Sequence, residues 1–148
     1  MKNDKTDNHE QIFWEEIDRL FPDMIKAIAS LSKKSYLSIT NLRTGITWWS
    51  ERAMDYFGMK ENYTIRSMEK ANRKIHPDDV ATFKRGFKER VDGKNLDTAW
   101  EYRIQDGDSY NRFNAMARVL YDEQKQPFII IIRYDNYGIS DEVDSVTG

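Results

Sequence analysis

The chain is 148 residues long, carries 23 Lys+Arg against 25 Asp+Glu for a net charge of −2, and is 39% hydrophobic and 13% aromatic. That length suits one domain with short appendages, and the near-neutral balance lacks the basic footprint of a nucleic-acid binder. Cysteine is absent, which excludes a disulfide framework, thiolate metal sites, cysteine nucleophiles and a cysteinyl-flavin adduct; the longest apolar run, residues 128–132, is far short of the ~20 residues of a membrane helix, and the start MKNDKTDNHE lacks the apolar core of a signal peptide, so a soluble cytoplasmic protein is expected.

Between residues 11 and 31 the apolar positions Phe13, Ile17, Leu20, Met24, Ile28 and Leu31 recur three or four apart, which is helical spacing. Pro22 interrupts it. Proline disfavours the helical conformation at Phe21 and withholds a backbone donor, so two helices or one kinked helix are predicted, with Pro22 near the first turn of the second. Residues 1–8 are polar and predicted to be unstructured. From Ser35 the period becomes two: Leu37 and Ile39 alternate with Tyr36, Ser38 and Thr40 as in a half-buried strand, Arg43, Thr44 and Gly45 turn the chain, and ITWW returns it as a hairpin. Ser50 then offers an N-cap hydroxyl to ERAMDYF and Gly58 a C-cap, marking a short helix. Residues 59–75 are weakly patterned and read as short helical turns joined by loops.

His76, Pro77, Asp78 and Asp79 start a further helix, with proline at its first position and two carboxylates at the positive end of the helix dipole. Val80, Phe83, Phe87 and Val91 share one face of it, while Lys84, Arg85, Lys88 and Arg90 read as a solvated face. Three strands follow at about 98–105, 110–121 and 128–134, with hairpin-like links at Asp106-Gly107 and residues 122–127. Arg118 and Arg133 should point away from a core. That places Phe113, Ala115, Ala117, Val119, Phe128, Ile130 and Ile132 on the helix side and leaves Met116, Ile129 and Ile131 exposed on the other face. The amphipathic N-terminal helix is a ready cover for that face, from the same chain or a second copy, and a homodimer through it is the expected assembly. Strands and helices in this order define an α+β architecture, an antiparallel sheet with helices on one face.

The hairpin, the ITWWSERAMDYFG segment, the IHPDDVATF helix start, the EYRIQDG strand end and the final FIIIIRYDN, taken in this order, resemble the PAS sensory domains. The resemblance covers residues 35–136 and implies a five-stranded antiparallel sheet whose short helices cradle a pocket, used to sense a ligand or relay conformational signals. It divides the chain into a polar leader and N-terminal helical segment (1–34), the PAS domain (35–136), and a linker with the start of an output domain (137–148). The tail Asp144-Ser145-Val146-Thr147-Gly148 resembles the opening of a GGDEF diguanylate cyclase domain, which implies a sensory and dimerisation module, itself non-catalytic, regulating cyclic di-GMP synthesis. Asp135 and Asn136 stand where the family's Asp-Ile-Thr junction couples sheet to linker; Asp135 matches, whereas Asn136 and Tyr137 replace the usual Ile and Thr.

Candidate chemistry is sparse. His76 as a metal or haem ligand competes with a structural role capping the helix that Pro77 starts, and the resemblance favours the cap, so haem is not expected. Asp78 and Asp79 point in different directions on a helix and read as ordinary anions rather than an acid-base pair. Phe57, Phe83, Phe87 and Phe113 point inward and, with Ala115 and Ala117 opposite and Ile130 beside them, are candidates for lining a pocket for noncovalent flavin or a small metabolite. The alternative is that the rings fill that space as core. Two rivals remain, a small stand-alone α+β enzyme using a pocket carboxylate such as Glu101, and a ligand-free structural dimerisation domain.

Overall fold

Pro22 does break the helical period: α1 (Asp4–Leu20) and α2 (Met24–Leu31) open the fold. The computed structural model describes residues 4–65 and 73–139, so the expected tail motif and part of the weakly patterned stretch lie outside the described residues. The helix begins at Asp4, and the leader that reads as unstructured is therefore largely its first turns. Pro22 sits ahead of the second helix rather than in its first turn, because Asp23 takes the N-cap place in the left-handed conformation (φ 64°), which a short polar side chain tolerates. This break resets the helical phase. Ile25 and Ala29 turn inward with Phe13 and Ile17, whereas Met24 and Leu31, expected on the same stripe, are 44% and 87% exposed.

The chain continues through β1 (Tyr36–Asn41), β2 (Ile46–Trp49), α3 (Glu51–Phe57), β3 (Tyr63–Ile65), a 3-10 turn (Pro77–Asp79), α4 (Val80–Val91), β4 (Trp100–Asp106), β5 (Ser109–Tyr121) and β6 (Pro127–Ile139). The sheet order is β3-β2-β1-β6-β5-β4, with every neighbouring pair antiparallel. The α+β class and the helix-cradled antiparallel sheet hold, with a sixth strand: Tyr63 pairs with Trp48 at the β2 edge. Three residues are too short a run to show a period.

Both faces of the sheet are buried. One packs on α3 and α4 through Trp49, Phe83, Tyr102, Phe113, Ile132 and Tyr134. The other packs on α1 and α2 through Phe13, Ile17, Ile25, Ile39, Trp48 and Ile129. Consecutive Trp48 and Trp49 thus lie in different cores, as pleat alternation requires. Ile129, expected to be exposed, is fully buried because α1 and α2 of the same chain cover it. Phe128 also joins that side rather than the α4 side. The pairing slips between Leu120↔Ile129 and Tyr121↔Pro127, so Phe128 is the extra residue of a β-bulge, and a bulge changes the face on which a side chain emerges.

Polar contacts fasten α1 to the sheet. The buried Asn41 amide donates to the Phe13 carbonyl at 3.2 Å. The Arg43 guanidinium, in the β1–β2 turn, binds Glu16 of α1 and Asp122 of the β5–β6 turn and lies over the Phe128 ring at 4.7 Å. The Arg43 hydrogen bond holds the Glu16 carboxyl below its ordinary range despite partial desolvation. On the opposite face, Gly86 of α4 sits on the Trp100 indole, and Arg90 one turn later lies over the same ring at 4.1 Å while donating to the carbonyls of Gly86 and Thr98. Arg90 is therefore buried and not part of the solvated face with Lys84, Arg85 and Lys88.

Candidate functional site

Between the α3–α4 layer and the β1–β2 half of the sheet lies a cavity of about 480 Å3. Its helix side is aromatic, with Phe57 at the end of α3 and Phe83 and Phe87 on α4. Local capping fixes Phe57: Ser50 Oγ accepts from Ala53 N at 3.3 Å, and Gly58 closes the helix at φ 66°. Phe83 and Phe87 are one turn apart and so share a face of α4.

The sheet side of the cavity carries hydroxyls. Ser38 and Thr40 on β1, Thr47 on β2, Tyr102 on β4 and Tyr134 on β6 line it together with Trp49, Ile104 and Ile132. Because Leu37 and Ile39 face α1 and α2, their small polar neighbours Ser38 and Thr40 face the cavity. The pattern that reads as a half-solvated strand is a strand between two cores. Thr40 Oγ1 and Thr47 Oγ1 pair across the hairpin at 2.7 Å, and Ser38 Oγ pairs with the Tyr134 hydroxyl at 3.1 Å. The Tyr102 hydroxyl is buried beside that of Tyr134, yet finds no partner in hydrogen-bond geometry. Burial pushes the Tyr134 phenol up to about 12 and the Tyr102 phenol well above its ordinary value. Both remain neutral hydroxyls at any physiological pH.

Of the residues expected to line a pocket, Phe57, Phe83 and Phe87 do; Phe113, Ala115, Ala117 and Ile130 are core residues alongside it and not part of the lining. Register supplies the reason. Ala115 stands opposite Trp100 on β4 and Tyr134 on β6, large side chains that flank it in the core, and Ala117 stands opposite Ile132. Phe113 is wedged edge-on against Tyr36 and Tyr56, with ring centroids 5.6 and 5.3 Å away. The open space instead lies over β1 and β2, where the inward residues are Ser38, Thr40 and Thr47. Those hydroxyl residues and Trp49, Tyr102 and Tyr134 escaped the sequence reading. The strand ITWW, with Thr47 its one polar residue and no charge, was the available signal, since a strand buried on both faces has no charged side to its alternation.

His76 accepts a hydrogen bond at Nδ1 from Asp78 N, 3.1 Å away, and caps the 3-10 turn. Asp79 departs from the expected ordinary anion. It makes a two-pronged ion pair with Arg103, at 2.8 and 2.9 Å, and also accepts from the Arg103 backbone N–H at 2.8 Å. Its burial favours the neutral acid, but the Arg103 bonds outweigh this and keep the carboxyl below its ordinary range. Glu101 is exposed on β4 beside Arg112 at 3.6 Å, away from the cavity lining. Among the described residues, no three His, Asp or Glu side chains gather as a metal site requires.

Asp135 and Asn136 directly follow the cavity-lining Tyr134. Asp135 pairs with Arg133 at 3.4 Å. Between Phe113↔Asn136 and Asn111↔Ile139 the register shifts again, and the Asn136 side chain accepts from Gly138 N at 2.8 Å, where Gly138 takes φ 87°. The junction residues thus stay paired with β5, at Asn114↔Asp135 and Phe113↔Asn136, and the bulge follows them in β6, which runs on to Ile139 instead of ending at Tyr134.

The family model describing the PAS fold matches residues 46–132, more than half of the chain. The chain belongs to the PAS-fold family. Among solved structures, it is similar to a sensory box histidine kinase/response regulator from Burkholderia thailandensis, at 16% identity and a TM-score of 0.59, over 82% of this chain and 89% of that one. It is also similar to the N-terminal domain of a diguanylate cyclase with a PAS/PAC sensor from Marinobacter aquaeolei, at 15% identity and a TM-score of 0.58, over 71% and 96% of the two chains. The PAS domain of a Colwellia psychrerythraea protein aligns at 17% identity and a TM-score of 0.52, over 78% and 98%. At such identities the likeness is one of fold. Comparison with curated protein sequences gives no match. No helix among the described residues is long and apolar enough to cross a membrane.

Proposed function

We propose that the chain is a cytoplasmic sensory module, without catalysis of its own, in which the internal cavity receives a small molecule and β6 passes its presence to an output domain that follows. One observation carries the proposal: Ile132 and Tyr134 line the cavity and the same strand continues, past Asp135 and Asn136 and through the bulge that follows them, toward the chain's C-terminal segment. A molecule seated against Tyr134 touches the residue next to that junction. Only differential affinity for two arrangements of the strand transmits a signal, and a bulge interrupts the ladder that would otherwise hold the strand to its neighbour. The enzyme reading finds less support, because Glu101 lies outside this cavity and no Asp or Glu is among its described lining residues.

The output assigned here is diguanylate cyclase, on the resemblance of residues 144–148 to the opening of that domain and on the sensor's place in the Marinobacter aquaeolei protein. Homodimerisation belongs to the same proposal. Since α1 and α2 already occupy the outer sheet face, a second copy would meet the apolar side chains they leave exposed, Ile12, Met24 and Leu31. Reading the coding sequence beyond Gly148 tests the assignment: an in-frame diguanylate cyclase domain is the expected result, and a stop codon directly after Gly148 rejects it.

A further inference from the structure

We propose that the cavity takes an uncharged, ring-containing molecule that presents a hydrogen-bond acceptor, a carbonyl oxygen or ring nitrogen, to the Tyr102 hydroxyl. This rests on reading the cavity as a receptor site and adds the chemistry of what fills it. Tyr102 is 2% exposed, lines the cavity, and its hydroxyl meets no group in full hydrogen-bond geometry, the adjacent Tyr134 hydroxyl included. Buried hydroxyls are almost always paired, because an unpaired one forfeits its bonds to water without replacement. An acceptor on a bound molecule supplies the missing partner.

Hydrogen counting along the wall points the same way. In the Thr40–Thr47 pair one hydroxyl donates to the other, which leaves the second hydroxyl with a hydrogen to give. The Ser38–Tyr134 pair leaves one likewise. The sheet wall therefore has hydrogens to give to an acceptor, beside oxygen lone pairs that can also receive. Among the described lining residues the one charged side chain, Lys74, is solvent exposed at the rim, so an ion seated against the neutral phenols and phenyl rings would have no described partner beside it. Opposite the hydroxyls stand Phe57, Phe83 and Phe87, whose flat faces suit a ring. The volume of about 480 Å3 lies within the ~300–1,000 Å3 of sites for drug-sized molecules.

The test uses three two-ring probes on the whole 148-residue chain: chromone, which is neutral and carries a carbonyl; naphthalene, which has no acceptor; and 1-naphthoate, which is anionic. Titrations followed by amide NMR shifts of Trp49, Ile132 and Tyr134 give the affinities. Chromone is expected to bind about tenfold more tightly than naphthalene, the contribution of one hydrogen bond, and more tightly than 1-naphthoate. In Tyr102→Phe, which removes a hydroxyl the fold leaves unpartnered, chromone should fall to the level of naphthalene while naphthalene itself is unchanged. Equal binding of chromone and naphthalene, tightest binding of the anion, or an undiminished preference in Tyr102→Phe overturns the inference but leaves the cavity a receptor site. If none of the three probes moves the lining residues, both the inference and the receptor reading fall.

Discussion

Replacing Phe13 with alanine is expected to lower stability by about 3–5 kcal/mol, the range for deleting a fully buried phenyl ring. Phe13 is 0% exposed and packs edge-on against Trp14 and Tyr63, with centroids 5.0 and 5.6 Å away. With the equally buried Ile17 it anchors α1 on the sheet, and its carbonyl receives the Asn41 amide. The effect therefore reaches past one cavity. Loosened, α1 uncovers Ile39, Trp48 and Ile129, apolar side chains whose exposure to water costs stability. Chemical denaturation monitored by tryptophan fluorescence measures the loss. A change below about 1 kcal/mol, the scale of a surface substitution, would mean that α1 does not depend on this ring to cover the sheet.

Gly86→Ala is expected to destabilise the fold, against the usual sign of such a change. In an ordinary helix interior, alanine is favoured over glycine by up to ~1 kcal/mol. Here a Cβ on Gly86 would stand 2.7 to 2.9 Å from three atoms of the Trp100 indole. That ring cannot withdraw: it is 6% exposed, lies beneath the Arg90 guanidinium, and neighbours Tyr102 at 5.9 Å. Overpacking of this kind typically costs about 1–3 kcal/mol, and a contact so short belongs at the upper end, for a net loss near 2 kcal/mol. For a chain of this size the thermal midpoint then falls by roughly 4–8 °C, measurable by calorimetry. A raised midpoint would show that α4 stands farther from β4.

These anchors differ in how far the residues alone disclose them. The Pro22 break, the Ser50 and Gly58 caps and the β4–β5–β6 meander follow from local chemistry acting within a few residues, and such signals survive in a bare sequence. Which face of β1 meets which layer does not. Leu37 and Ile39 look like the core side until a second layer, α1 and α2, claims them and turns Ser38 and Thr40 toward the cavity. The bulge at Phe128 reverses a side-chain phase in the same way, since nothing in PFIIII marks the extra residue. The cavity was half visible. Its aromatic helix side sits on the regular spacing of α4, whereas its hydroxyl wall depends on a cross-strand register that brings β1, β2, β4 and β6 around one space. Arg90 illustrates the same limit: a guanidinium reads as solvated until the indole across from Gly86 is in place.

The central claim is that a small molecule occupies the space between Phe83 and the hydroxyl wall. Native mass spectrometry of the protein freshly purified from the cells that make it measures this directly and gives the stoichiometry in the same spectrum. A population of chains carrying one neutral small molecule each is the expected result, depleted in Thr47→Leu, which replaces a hydroxyl of the cavity wall with a hydrocarbon branch. Bare chains alone, in both the natural protein and the variant, would contradict it.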